Sequence, residues 1–146
     1  MQAKSSVLFT ALLFSIVSAN AADSIENCLE KANTQLEINL CDNDEQSLAD
    51  KELNQIYQAV LKQHQNNKKF IEKLKNSQRA WLKWRDAEME AIFPEKDQPG
   101  YYGSSFAGCW VNQLALLTRE RSRQLKIWLE GIEEGDICSG SYPIKQ

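Results

Sequence analysis

The chain has one histidine in 146 residues, and no catalytic group can be assembled around it. His64 lies in the polar stretch His64 to Lys69, so it reads as a solvated side chain rather than a base. Gly103-Ser104-Ser105 lacks both the G-x-S-x-G spacing and the preceding strand of a nucleophile elbow. With no nucleophile, base and orienting group to name, no catalytic residue is expected, and no cofactor motif is present. Metal ligands are equally short. The four cysteines have no histidine nearby and make a poor zinc set. Asp42-Asn43-Asp44-Glu45 opens like a calcium loop, but Ser47 stands where the turn glycine belongs and Leu53 where the bidentate glutamate belongs. Basic residues are outnumbered, 17 against 20 acidic, which argues against nucleic acid as a partner. No repeat, low-complexity tract or alternating strand pattern occurs, and nothing beyond residue 17 is apolar enough for the ~20-residue span of a bilayer.

The N-terminus reads as an address label. Lys4 supplies a positive region, Val7 to Val17 an 11-residue apolar stretch and Ala19-Asn20-Ala21 a small-residue cleavage site. This predicts a signal peptide over 1–21 and a single domain over 22–146, periplasmic or secreted, without stable membrane insertion. No cysteine sits at the cleavage point, so a lipid anchor is not expected. Removing Lys4 leaves 16 basic against 20 acidic side chains, a balance suited to a cationic partner. Cys28, Cys41, Cys109 and Cys138 all lie in the exported part, where at least one disulfide is expected from three possible full connectivities.

Thr34-Gln35-Leu36-Glu37 is a capping-box signature opening a first long helix, with apolar positions at Leu36, Leu40, Ala49, Leu53, Ile56 and Val60. Its polar middle, Asp42 to Ser47, predicts a loosening there. A second helix carries Phe70, Leu74, Trp81, Leu82 and Ile92 and stops before Pro94. A third begins near Ser105, carries Phe106, Trp110, Leu114, Leu125, Trp128 and Ile132, and frays by Gly135. One apolar stripe per helix predicts an all-α antiparallel three-helix bundle. Between the last two helices, Pro94 to Ser104 is the one long irregular segment, and Tyr101, Tyr102, Gly103 and Ser104 in it are the candidate partner-binding residues.

The run Gln78-Arg79-Ala80-Trp81-Leu82-Lys83-Trp84-Arg85-Asp86-Ala87 is not required by helix formation. Helical spacing puts Gln78, Trp81, Arg85 and Glu88 on one stripe, so polar groups lie along a face that ought to be buried. They must find partners or mark a binding surface. The favoured reading is an internal polar network of Gln78, Trp81, Arg85 and Asp86, completed from neighbouring helices by Asn54, Thr118 and Arg121.

These residues carry a family resemblance. Ala49-Asp50-x-x-Leu53-Asn54-x-x-Tyr57, the Gln78 to Ala87 run, and Cys109 followed by Thr118-x-x-Arg121 resemble the lysozyme inhibitor LprI-like domain. Thr34-Gln35-x-Glu37-x-Asn39-x-Cys41 with Cys28 upstream is similar to that family's opening, and Gly103-Ser104 to its loop. The resemblance implies an exported, mostly helical envelope domain whose named activity is inhibition of lysozyme. Two positions depart: Met89 and Ile132 stand where many relatives, or some, carry cysteine, so family pairings of Cys109 and Cys138 do not transfer.

The expected function is therefore a periplasmic, non-enzymatic inhibitor of lysozyme or a related wall-degrading enzyme, probing its partner with the tyrosine loop. The alternatives are an immunity protein against a periplasmic toxin and a structural envelope protein. For the disulfides, an up-down-up bundle puts Cys28, Cys41 and Cys109 near one end. The third helix spans ~36 Å from Cys109 at 1.5 Å per residue, and the tail beyond reaches back only ~18 Å. A Cys109–Cys138 bond would need a broken helix. Cys28–Cys41 is the expected pair, closing a short loop that holds the N-terminal segment against the first helix.

Overall fold

The computed structural model describes residues 26–135 and 137–145, so the expected signal peptide lies outside the described residues. A short helix, α1, covers 26–31, followed by three long helices: α2 Gln35–Gln63, α3 Lys68–Ile92 and α4 Phe106–Glu130. Among the described residues the only β pairing is an isolated parallel bridge between Ile132 and Ile144.

The start of α2 is set by the expected capping box. Thr34 accepts from the Glu37 amide at 3.2 Å, and the Glu37 carboxylate accepts from the amides of Asn33 (2.7 Å) and Thr34 (2.9 Å). The capping residue and the third residue of the helix thereby satisfy each other's free amides. The same bonds, that of Asn33 foremost, hold the Glu37 carboxyl below its ordinary range. A lowered carboxyl pKa stabilises the fold above the ordinary glutamate range and stops doing so as pH falls through the lowered value. Glu37→Gln should therefore remove an acid-side loss of protection at the start of α2, measured as amide exchange of residues 35–38 against pH.

The polar segment Asp42 to Ser47 does not loosen the helix; α2 runs through it unbroken. The reason lies on α4. Glu45 and Glu52 both pair with Arg119, the latter at 2.8 Å, and Lys126 pairs with Glu52 at 2.8 Å. These four side chains are only 19–25% exposed, so Glu45, in the middle of the polar segment, faces an interhelical ion-pair quartet, while Asn43, Asp44 and Ser47 stay on the exposed side of an unbroken helix. Hydrogen bonding to Glu45 chiefly raises the Arg119 guanidinium pKa.

Helices α2 and α4 run parallel: Gly108 faces Asn39 and Asp42, Arg119 meets Glu45 and Glu52, and His64 reaches Trp128. They approach closely because the buried positions between them are small. Gly108, Ala115 and Ser122 recur every seven residues on α4, with Thr118 and Leu125 between, against Ala49, Leu53, Ile56 and Val60 on α2. This 4-3 spacing is that of a left-handed helix pair. A Cβ on Gly108 would fall 2.5 Å from an Asp42 carboxylate oxygen, which leaves no room for a side chain. The antiparallel α3 closes the bundle through Leu74, which joins Leu53, Ile56, Val60 and Leu125 in the core, flanked by Tyr57, Trp81 and Trp128.

Further residues depart from the sequence reading, among them Leu82 and Ile92 of the second helix, each 38% exposed. Leu36 and Leu40 are exposed (69% and 56%): Gly108 of α4 meets α2 at Asn39 and Asp42, which leaves Leu36 ahead of the contact and Leu40 on a different face of the helix. Helix α4 ends at Glu130, and Gly131 turns the chain at φ +79°. Ile132 therefore lies off the helix, donating to Pro143 O at 2.8 Å while Lys145 donates back to Ile132 O at 2.9 Å. His64 is not simply solvated. Its ring packs 4.6 Å from Phe70, and Nε2 lies 3.1 Å from the Trp128 carbonyl in the last turn of α4, one of the carbonyls a helix end leaves unpaired.

Cys28 and Cys41 are disulfide-bonded with Cα atoms 5.8 Å apart, pinning α1 to α2, as the chain geometry predicts. Cys109 and Cys138 are exposed and not bonded to each other.

Candidate functional site

The loop between α3 and α4 is built on an aromatic cluster. Phe93, which caps α3, lies 5.5 Å from Tyr102, 5.5 Å from Phe106 and 5.6 Å from Trp110. Tyr102 stacks on Phe106 at 5.3 Å, and its hydroxyl accepts from the Glu95 amide at 3.2 Å. These contacts fold the loop back over the start of α4. Gly100 and Gly103, at φ +76° and +75°, supply the left-handed turns on either side of the tyrosines. Tyr101 rests on Tyr102 at 4.9 Å yet remains 60% exposed. The two tyrosines, grouped together from the sequence, thus have different surroundings: Tyr102 anchors the loop and Tyr101 is presented by it. Gly103 and Ser104 are exposed beside them.

Charge is strongly segregated along the bundle. Residues 26–45 and 86–109, brought to one end by the α2–α4 and Phe93–Phe106 contacts, hold 11 acidic and 2 basic side chains. Residues 62–85, the opposite end of α2 and most of α3, hold 1 acidic and 8 basic, partly balanced there by Glu130, Glu133 and Glu134 at and just past the end of α4. The switch falls within α3, between Arg85 and Asp86. Tyr101 therefore projects from the acidic end, a feature that the total charge of −3 does not disclose.

The Trp81/Arg85 stripe divides between two environments. Toward α4, Arg121 donates to Gln78 Oε1 (3.0 Å), Ser77 Oγ (3.1 Å) and Gln124 Oε1 (3.1 Å), with its guanidinium 5.9 Å from the Trp81 ring centre. Burial lowers the Arg121 pKa from its ordinary value. Toward α2, Arg85 lies 5.4 Å over the same indole and donates to Asp86 through Nε (3.1 Å) and a terminal nitrogen (2.9 Å), with Asp50 at 4.0 Å. Thr118 and Asn54 stand outside this network. The Thr118 hydroxyl donates to Leu114 O in its own helix at 2.8 Å, and Asn54 is exposed on α2.

Between α2 and α3 this second environment opens as a groove of about 500 Å³. Its α2 wall is Asp50, Leu53, Asn54 and Tyr57, and its α3 wall includes Lys75, Gln78, Arg79, Leu82 and Arg85. Burial pushes the Tyr57 phenol pKa up, partly offset by Arg79.

These surroundings set what Arg85→Ala should do. Asp86 is 67% exposed and Asp50 47%, so loss of Arg85 strands no buried carboxylate. The expected cost is about 1 kcal/mol, from one cation–π contact and a solvated ion pair, rather than the several kcal/mol of a broken buried pair. A melting curve of the variant checks this.

Among the described residues no group of three or more His, Cys, Asp or Glu could hold a metal ion, and no helix is long and apolar enough to cross a membrane. The quartet of Glu45, Glu52, Arg119 and Lys126 and the small-residue seam at Gly108, Ala115 and Ser122 are the structural residues that sequence reasoning missed. The seven-residue spacing was the available signal for the seam.

A family model described as Lysozyme inhibitor LprI matches residues 26–125. An uncharacterized protein of Rhizobium meliloti is 32% identical over 133 residues, covering 84% of this chain and 92% of its own length. The uncharacterized protein YecT of Escherichia coli is 29% identical over 126 residues, covering 77% of this chain and 78% of its own. No solved structure matches.

Proposed function

Because the chain belongs to the lysozyme inhibitor LprI family, we propose that it is an exported, non-enzymatic inhibitor that binds a lysozyme or related wall-degrading enzyme through the loop end of its bundle. The observation that carries this reading is the coincidence of an exposed aromatic side chain, Tyr101, with the acidic end of a charge-segregated molecule. A cationic hydrolase approaching that end is steered by the field of the acidic residues, which raises its encounter rate. Tyr101 then offers a rigid apolar body with a polar tip, suited to filling a cleft built for sugar rings. Tyr102, Gly100 and Gly103 hold it in place without needing to touch the partner. The single domain over 22–146 and removal of residues 1–21 belong to the same proposal, since inhibition of a wall-degrading enzyme requires export.

The test is inhibition of a panel of lysozymes by the purified 22–146 chain on a cell-wall substrate. Saturable inhibition of a cationic lysozyme that weakens as salt rises is the expected result. Absence of inhibition across the panel at low salt would remove the reading.

A further inference from the structure

We propose that the groove between α2 and α3 is a second binding site, taking a short acidic peptide segment with an apolar side chain. The groove exists because α2 and α4 meet through small residues, whereas α3 is held off by larger ones, Trp81, Gln78 and Arg121 among them. Its α2 wall from Asp50 to Tyr57 runs ~10 Å and its α3 wall from Lys75 to Arg85 ~15 Å at 1.5 Å per residue. Either length matches about three or four extended residues at ~3.3 Å each.

The lining chemistry selects the occupant. Lys75, Arg79 and Arg85 set three cations against one carboxylate, Asp50, in a chain whose total charge is negative. Arg85 is already engaged by Asp86, so the charge open to a ligand is that of Lys75 and Arg79, both exposed on one wall. Opposite them, Asn54 and Tyr57 carry an amide and a hydroxyl that can complete the bonds of a bound carboxylate. Leu53 and Leu82 form an apolar strip between the walls, the complement of an aliphatic side chain flanked by acidic ones. The site lies away from the acidic loop end and does not depend on the inhibitor reading. It also gives exposed members of the Gln78 to Ala87 run, Arg79 and Leu82, a purpose that bundle packing does not.

The test titrates the 22–146 chain with an acetylated, amidated Glu-Leu-Glu tripeptide, following backbone amide shifts. Expected are saturable shifts confined to residues 50–57 and 75–85, with affinity falling as salt rises. The Lys75→Glu/Arg79→Glu variant, altered at two exposed sites and so with its helix content intact by circular dichroism, should bind at least tenfold more weakly. A Gln-Leu-Gln peptide should lose at least as much, and Tyr101→Ala should change nothing. Equal binding of the neutral peptide, equal binding by the charge-reversed variant, or no shifts at millimolar peptide would each overturn the proposal. The same shifts with inorganic phosphate alone would reduce the site to a general anion patch and overturn it as well.

Discussion

Leu125→Ala is expected to cost about 3 kcal/mol of stability and to lower the melting temperature by roughly 10 °C. Leu125 is 1% exposed and belongs to the cluster in which α2, through Leu53, Ile56 and Val60, and α3, through Leu74, meet α4. Truncation removes most of its side chain where all three helices converge. The cavity cannot collapse easily, because the α2–α4 seam is already lined by small buried residues, Ala49 on α2 and Ala115 and Ser122 on α4. Chemical denaturation checks the value. A loss below about 1 kcal/mol would mean that α3 does not pack on the pair as described.

Breaking the Cys28–Cys41 bond is the other large effect, an expected loss of about 3 kcal/mol from releasing a crosslink across 13 residues. The crosslink holds α1 against the projecting first turns of α2, a region with little apolar cover of its own, since Leu29, Leu36 and Leu40 are exposed. Cys28→Ser should therefore free residues 26–34 first, raising amide exchange there before the rest of α2 responds. Cys28 is the residue to change, because Cys41 is buried and serine there would add a second effect. Unchanged stability in the variant and in reduced wild type would show that α1 is held by packing instead.

The legible and illegible parts of this structure differ in range. The Thr34 capping box, the stop before Pro94 and the start beside Ser105 are local signals, and the helices begin and end within a few residues of them. The Cys28–Cys41 pair is likewise short in range, joining residues 13 apart. What a hydropathy reading could not supply was partnership across long separations. Asp42 to Ser47 looked like a weak point because Arg119, which meets Glu45, is 74 residues away. Gly108 and Ser122 do not register as core on any apolar scale, yet their smallness sets the spacing of α2 and α4. Leu36 and Leu40 have the right periodicity but no facing helix. In the candidate sites, the Trp81 run was visible as an anomaly. Its division into an Arg121 network and an open groove depended on where α3 stands relative to α2. The acidic character of the loop end likewise needed the topology that brings residues 26–45 beside 86–109.

The central claim is that the loop end contacts the partner through Tyr101, and it is tested most directly by titrating a cationic lysozyme with wild-type chain and with Tyr101→Ala. The side chain is exposed and makes one aromatic contact, so the melting temperature should stay within about 2 °C of wild type. Binding should nonetheless weaken about 30-fold, equivalent to ~2 kcal/mol for a hot-spot tyrosine. A stable Tyr101→Ala protein that binds lysozyme as tightly as wild type would contradict the account.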